Sequence, residues 1–134
     1  MTRHCRPDEV DAVLGLWSDE RSAAAATADR REDVEKLVAD RAVLVAELDG
    51  ALVGALVAAW DGWRGNMYRL AVRSGQRRRG IARALVEAGE ASLRERGARR
   101  VTALVAADDD PATALWRAAG YEHNAHIARY VRNI

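Results

Sequence analysis

Apolar residues fall at helical spacing in four stretches of the chain and crowd into short strand-like runs between them. In residues 7–19, Val10, Val13, Leu14 and Trp17 share one helical face, with Pro7, Asp8 and Glu9 supplying a favourable start. Residues 29–40 set Val34, Leu37 and Val38 among charges and suit a second amphipathic helix. The alanine-rich Ser22–Thr27 stretch fits either a loop or a helical extension. Residues 3–6 suit a short first strand. Ala42–Leu48 and Leu52–Trp60 are longer strands, joined by Asp49-Gly50, the strongest short hairpin signal. Asp61-Gly62 and Gly65 mark the next turn, and Asn66–Val72 is a third long strand.

After the loop at Ser74-Gly75 the period changes. From Gly80, the residues Ile81, Leu85, Ala88, Ser92 and Leu93 form one face, Glu90 stands four before Arg94, and Gly97 suits a helix end. Val101–Val105 is a buried-type strand, Ala112–Ala119 a short helix, and Tyr121 onward one or two last strands. Strand, helix and strand in succession imply a parallel pair. The expected fold is a single α+β domain over residues 1–134, an α/β sandwich. Its mixed sheet has six or seven strands, mostly antiparallel, with about four flanking helices.

Composition narrows the function classes. The chain has 134 residues and a formal net charge of +1, so its surface as a whole attracts neither nucleic acid nor membranes. Lys36 is the one lysine among 21 basic residues, and phenylalanine is absent, which reads as the coding bias of a GC-rich bacterial source. Cys5 is the single cysteine, so no internal disulfide forms. No leader pattern opens the chain and no apolar run has membrane-spanning length, so a cytoplasmic protein is expected. His123 and His126 supply too few ligands for a metal site, and none is expected.

Chemistry concentrates at the start of the third helix. The positive end of a helix ordinarily favours acidic residues. Here Arg77, Arg78 and Arg79 precede it and Arg83 lies in its first turn. Gly80 lets an anion approach the backbone closely, and the small Ala82 keeps a second approach point open. A di- or polyphosphate fits such a turn; a solvated basic loop is the bland alternative.

With strand, basic glycine turn, helix and strand in this order, the chain resembles the GNAT superfamily of N-acetyltransferases. Arg77, Gly80 and Ala82 match its signature, Leu70-Ala71-Val72 its fourth strand, and Ala112, Leu115, Trp116, Gly120 and Tyr121 its last-helix pattern. The resemblance implies that the fourth and fifth strands splay apart around the pantetheine arm of acetyl-CoA. Backbone groups of Leu70, Ala71 and Val72 would meet the pantetheine amides and the thioester carbonyl. The N–H groups of Arg78, Arg79, Gly80, Ile81, Ala82 and Arg83 would cradle the pyrophosphate, with Arg77 beside them.

The resemblance further implies direct acetyl transfer to an amine on a small molecule or peptide, and relatives often form homodimers. Some relatives carry a carboxylate base on the fourth strand; Asn66–Val72 has none, leaving Tyr68 as a water relay or pocket residue and Glu47 as a more remote candidate. Trp116 takes the place of a tyrosine that protonates the leaving thiolate in many relatives. Asp109 stands where a cofactor-touching Asn is common, and reads better as a helix cap. Trp60 and Trp63 suit either an acceptor pocket or the core, whereas Trp17 suits the core. Two other readings remain open: a catalytically silent acyl-CoA-binding module, and nucleic-acid binding through Arg77 to Arg83, which the near-neutral charge disfavours.

Overall fold

A computed structural model describes residues 1–20 and 28–134. The Ser22–Thr27 stretch falls outside the described residues. Five strands form one sheet in sequence order: β1 (Thr2–His4), β2 (Val43–Leu48), β3 (Ala51–Trp60), β4 (Gly65–Val72) and β5 (Val101–Ala103). The first four are antiparallel and β5 joins β4 in parallel. Helices α1 (Val10–Asp19) and α2 (Arg31–Ala39) precede β2; α3 (Ile81–Glu95) connects β4 to β5, and α4 (Asp110–Ala118) follows β5.

Among the described residues the sheet thus has five strands, not six or seven. The strands expected beyond Tyr121 do not form: residues 122–134 carry no regular element and are exposed, Ile127 and Tyr130 included. Strand propensity needs a paired, half-buried surface to act on, and β5 offers an edge of only three residues.

Each face of the sheet has its own core. Trp17, Val10, Val13 and Leu16 of α1 and Val34 and Val38 of α2 pack with Val43, Val45, Ala55 and Val57. On the other face α3 packs Leu85, Val86 and Leu93 against Leu44, Leu56, Ala58 and Met67, with Trp116 of α4 beside them. The buried stripe of α3 is Leu85, Val86, Gly89 and Leu93; Leu85 and Leu93 lie on the expected face, with Ile81 and Ala88 packed partly against the core, and Val86 and Gly89 are additions. Gly89 has a packing reason. A Cβ there would lie 2.8 Å from Met67 Sδ and 3.0 Å from Leu56 Cδ2, so its absence lets the helix sit directly on the sheet. Glu90 does not pair with Arg94; it accepts a 2.7 Å hydrogen bond from Tyr121 Oη.

The Asp49-Gly50 turn closes the β2–β3 hairpin with both residues at positive φ, 52° and 79°. That is the geometry of a type I′ turn.

A candidate acyl-donor cleft along strand β4

Strand β4 changes character halfway along. Its first residues pair on both sides, with Gly65, Asn66 and Met67 opposite Val101, Thr102 and Ala103 of β5. The last rung is Leu104 N–H to Met67 O at 3.0 Å. Beyond it β5 gives β4 no further partner, and the parallel pair splays.

The break coincides with a bulge. Val57 pairs with Tyr68 and Ala55 with Ala71, so Leu56 alone faces Arg69 and Leu70. Arg69 has φ 56°, a left-handed conformation that costs a non-glycine residue roughly 1–3 kcal/mol. The extra residue reverses the alternation of side chains. Met67 packs on the α3 face and Tyr68 on the α1–α2 face; after the bulge Leu70 and Val72 return to the α3 face and Ala71 to the other.

The open edge follows from the same register. Arg73 N–H donates to Val53 O at 2.8 Å. Hydrogen-bonded pairs alternate with non-bonded ones in an antiparallel ladder, so Val72, opposite Gly54, turns its N–H and C=O away from β3. Arg77 Nε reaches that carbonyl at 3.5 Å.

A short 3-10 turn, Ser74–Gln76, leads from this edge to α3. Gly80 is the residue before the helix, at φ 77°, with nothing within 4 Å of where a Cβ would stand. Arg78 is also left-handed, at φ 66°. No side chain caps α3, no acidic residue lies in its first turn, and the first helical bond is Ala84 N–H to Gly80 O. The N–H groups of Ile81, Ala82 and Arg83 therefore point from an open, positively polarised helix end.

The four arginines are not equivalent. Arg77 pairs with Glu20 at 3.0 Å, and that carboxylate also accepts from Ser74 N and Oγ. Arg83 lies 3.4 Å from Glu87 and donates to Ala118 O at 3.1 Å, tying α3 to the end of α4. Arg78 and Arg79 are exposed and have no ion-pair partner among the described residues. Among the described residues, the open start of α3 thus combines two guanidiniums without an ion-pair partner and a row of backbone donors.

Tyr68 is half-buried on the other face of the sheet. It borders a shallow depression of about 460 Å³ shared with Asp33, Lys36, Leu37 and Asp40. Burial raises its pKa above the ordinary phenol value. Trp17 is a core residue, but its indole N–H also donates to Arg69 O at 2.9 Å, a contact that composition and spacing did not signal.

Other candidates lie elsewhere. Trp116 is 5% exposed and meets the Tyr121 ring edge-on at 4.9 Å in the α3-side core. Asp109 caps α4, accepting from Ala112 N at 3.0 Å. Glu47 is ion-paired with Arg3 at 2.6 Å near the β1 edge. Trp60 and Trp63 sit at the β3–β4 turn, the closed end of β4, with Trp63 exposed. His123 and His126 are exposed. Among the described residues, no helix is long and apolar enough to cross a membrane, and no three metal-binding side chains cluster.

Residues 9–121 match the model of the acetyltransferase (GNAT) family. An acetyltransferase of Pectobacterium atrosepticum is 35% identical over 119 residues, covering 87% of this chain and 84% of its own. Among solved structures, the ribosomal-protein-alanine N-acetyltransferase of Brucella melitensis superposes with a TM-score of 0.76 at 25% identity, over 91% of this chain and 84% of its own. AAC(6')-Iy, solved with the bisubstrate analogue CoA-S-monomethyl-acetylneamine, gives 0.79 at 17% identity, over 100% and 98%.

Proposed function

The chain belongs to the acetyltransferase (GNAT) family, and from that premise we propose that it moves an acetyl group from acetyl-CoA to a primary amine of a small molecule or peptide in the cytoplasm. One observation carries the reading: the open β4 edge at Val72 runs directly into the uncapped start of α3 at Gly80. An extended thioester arm needs the first, and a pyrophosphate needs the second.

In this reading Val72 and Leu70 present backbone groups to the pantetheine amides and thioester carbonyl, whereas Ala71, expected from the sequence to join them, faces Ala55 of β3. The N–H groups of Arg78, Arg79, Gly80, Ile81, Ala82 and Arg83 hold the pyrophosphate, and Arg77 braces the turn from Glu20. The neutral amine attacks the thioester carbonyl carbon and the C–S bond breaks. Coenzyme A leaves as its thiolate, and the amine proton passes to water. A fixed N–H near the carbonyl oxygen stabilises the negative charge that develops there. A thiol pKa near about 8.5 lets the thiolate leave without an acid on α4, so Trp116 in place of a tyrosine is compatible with turnover.

The depression beside Tyr68 carries two carboxylates, Asp33 and Asp40, against one ammonium, Lys36, and this net negative lining favours a cationic acceptor. The neighbours named above are a ribosomal-protein-alanine N-acetyltransferase and an enzyme bound to a CoA–acetylneamine bisubstrate analogue, so peptide and small-molecule amines both belong in a substrate screen.

The test is thermal. Acetyl-CoA at about 100 times its Kd stabilises the fold by about 2.7 kcal/mol, and Gly80→Glu, which fills the cradle with a carboxylate, removes the shift. A wild-type melting curve unmoved by millimolar acetyl-CoA would overturn the donor assignment. Release of free thiol with a panel of amines separates an enzyme from a silent binder.

A further inference from the structure

We propose that Trp17 and Asp29 are positioning residues for acetyl transfer, holding the β4 bulge from the α1–α2 side of the sheet. The inference rests on the acetyl-transfer reading above.

The bulge residue Arg69 is gripped at both of its ends. Trp17 Nε1, reaching from α1 across 52 positions of sequence, donates to the Arg69 carbonyl at 2.9 Å. The Arg69 guanidinium pairs with Asp29 Oδ1 at 2.7 Å, their side chains 20% and 15% exposed. Asp29 stands two residues before α2. Trp17 is 3% exposed, and its apolar body is accounted for by the core on that face. What the indole adds is an N–H, and that N–H is spent on a carbonyl in the irregular part of the strand, where the ladder is disrupted.

The consequence lies downstream. With the bulge in place, Val72 turns its N–H to the open edge and Ala71 faces β3. Were it lost, the strand would slip by one residue and the two would exchange roles. The grip on Arg69 therefore decides which backbone donors face the thioester. Neither Trp17 nor Asp29 needs to touch either substrate. The elements that make the grip, α1 and the start of α2, flank the face on which Tyr68 and its depression lie, so donor alignment is set from the acceptor side.

The experiment compares wild type, Trp17→Phe and the sterically milder Asp29→Asn. Amide hydrogen exchange of ligand-free protein is read over residues 69–73, with the β2–β3 hairpin as internal reference. Steady-state kinetics use whichever amine the screen above returns, or slow hydrolysis of acetyl-CoA. The expected result is exchange at least tenfold faster in the bulge segment, with the hairpin within twofold. Turnover falls at least tenfold while KM for acetyl-CoA rises by a smaller factor, because the pyrophosphate contacts at α3 are untouched and only those along β4 are loosened. Bulge exchange and kcat both within twofold of wild type in the two variants would overturn the inference, as would KM rising in step with the fall in kcat. A wild-type protein without turnover refutes the acetyl-transfer reading instead, and the exchange measurement still decides whether these two residues hold the bulge.

Discussion

The two halves of strand β4 are held by different means. The half from Gly65 to Met67 is paired on both edges and pressed under α3, where Gly65 and Gly89 leave no room for a Cβ. The half from Arg69 to Val72 is paired on one edge, interrupted by a left-handed residue, and held by side chains from α1 and the α1–α2 connection. The first half is maintained by packing that any solvent-excluded core provides. The second leaves the Val72 N–H without a ladder partner, while the carbonyls of Arg69 and Val72 are met by the side chains of Trp17 and Arg77. The difference teaches that pairing is complete in one half, whereas the other keeps a backbone donor open, which the proposed donor site would use.

Breaking the closed half separates the two most sharply. Gly89→Val pushes a branched side chain against Met67 and Leu56 and is expected to lower unfolding stability by about 1–3 kcal/mol, measured by urea denaturation. The acetyl-CoA-induced rise in melting temperature should persist, since the cradle at Gly80 lies more than two helical turns away. Loss of that rise with stability unchanged would mean that the halves are not independent.

A smaller effect is expected at the cradle, where the arginines divide by partner. Arg79→Ala removes an exposed guanidinium with no ion-pair partner among the described residues. It should raise KM for acetyl-CoA about two- to fivefold, equivalent to about 0.5–1 kcal/mol, with the deficit shrinking as salt is added. Arg77→Ala should act mainly on stability, because Arg77 neutralises Glu20 and closes on Val72 O. Equal KM effects from the two substitutions would argue against that division.

Legibility in sequence tracks the same boundary. The element order, the Asp49-Gly50 hairpin, the Asp109 cap and the Arg77, Gly80, Ala82 spacing are local, and each announces itself within a few residues. The bulge does not, because an arginine at φ 56° carries no turn signal; its conformation is maintained by Trp17 and Asp29, 52 and 40 positions away. Nor does the pairing of Arg77 with Glu20, 57 positions distant, which, together with the ties of Arg83 to Glu87 and Ala118 O, leaves two of the four arginines without an ion-pair partner among the described residues. The alternation after Tyr121 resembles strand, yet without an edge to pair on, Ile127, Tyr130 and Val131 stay exposed.

The smallest expected effect concerns the residue where the two halves meet. Tyr68 is the last regular position before the bulge, and burial raises its pKa above the ordinary value near about 10. At neutral pH it is protonated, so it can donate a hydrogen bond or order a water but cannot serve as an anionic base. Turnover should then rise with pH as the acceptor amine loses its own proton. Tyr68→Phe should lower kcat about two- to fivefold while leaving the midpoint of that rise in place. The sign for stability runs the other way. A folded pKa above the unfolded one contributes stability that is full below about pH 10 and is lost as pH rises through the folded value. Tyr121, raised by burial and by its bond to Glu90, adds to the same alkaline loss, so Tyr68→Phe should lessen that loss without abolishing it. A rate midpoint displaced by the substitution would show Tyr68 titrating in the reaction, and would move the base from solvent to the strand.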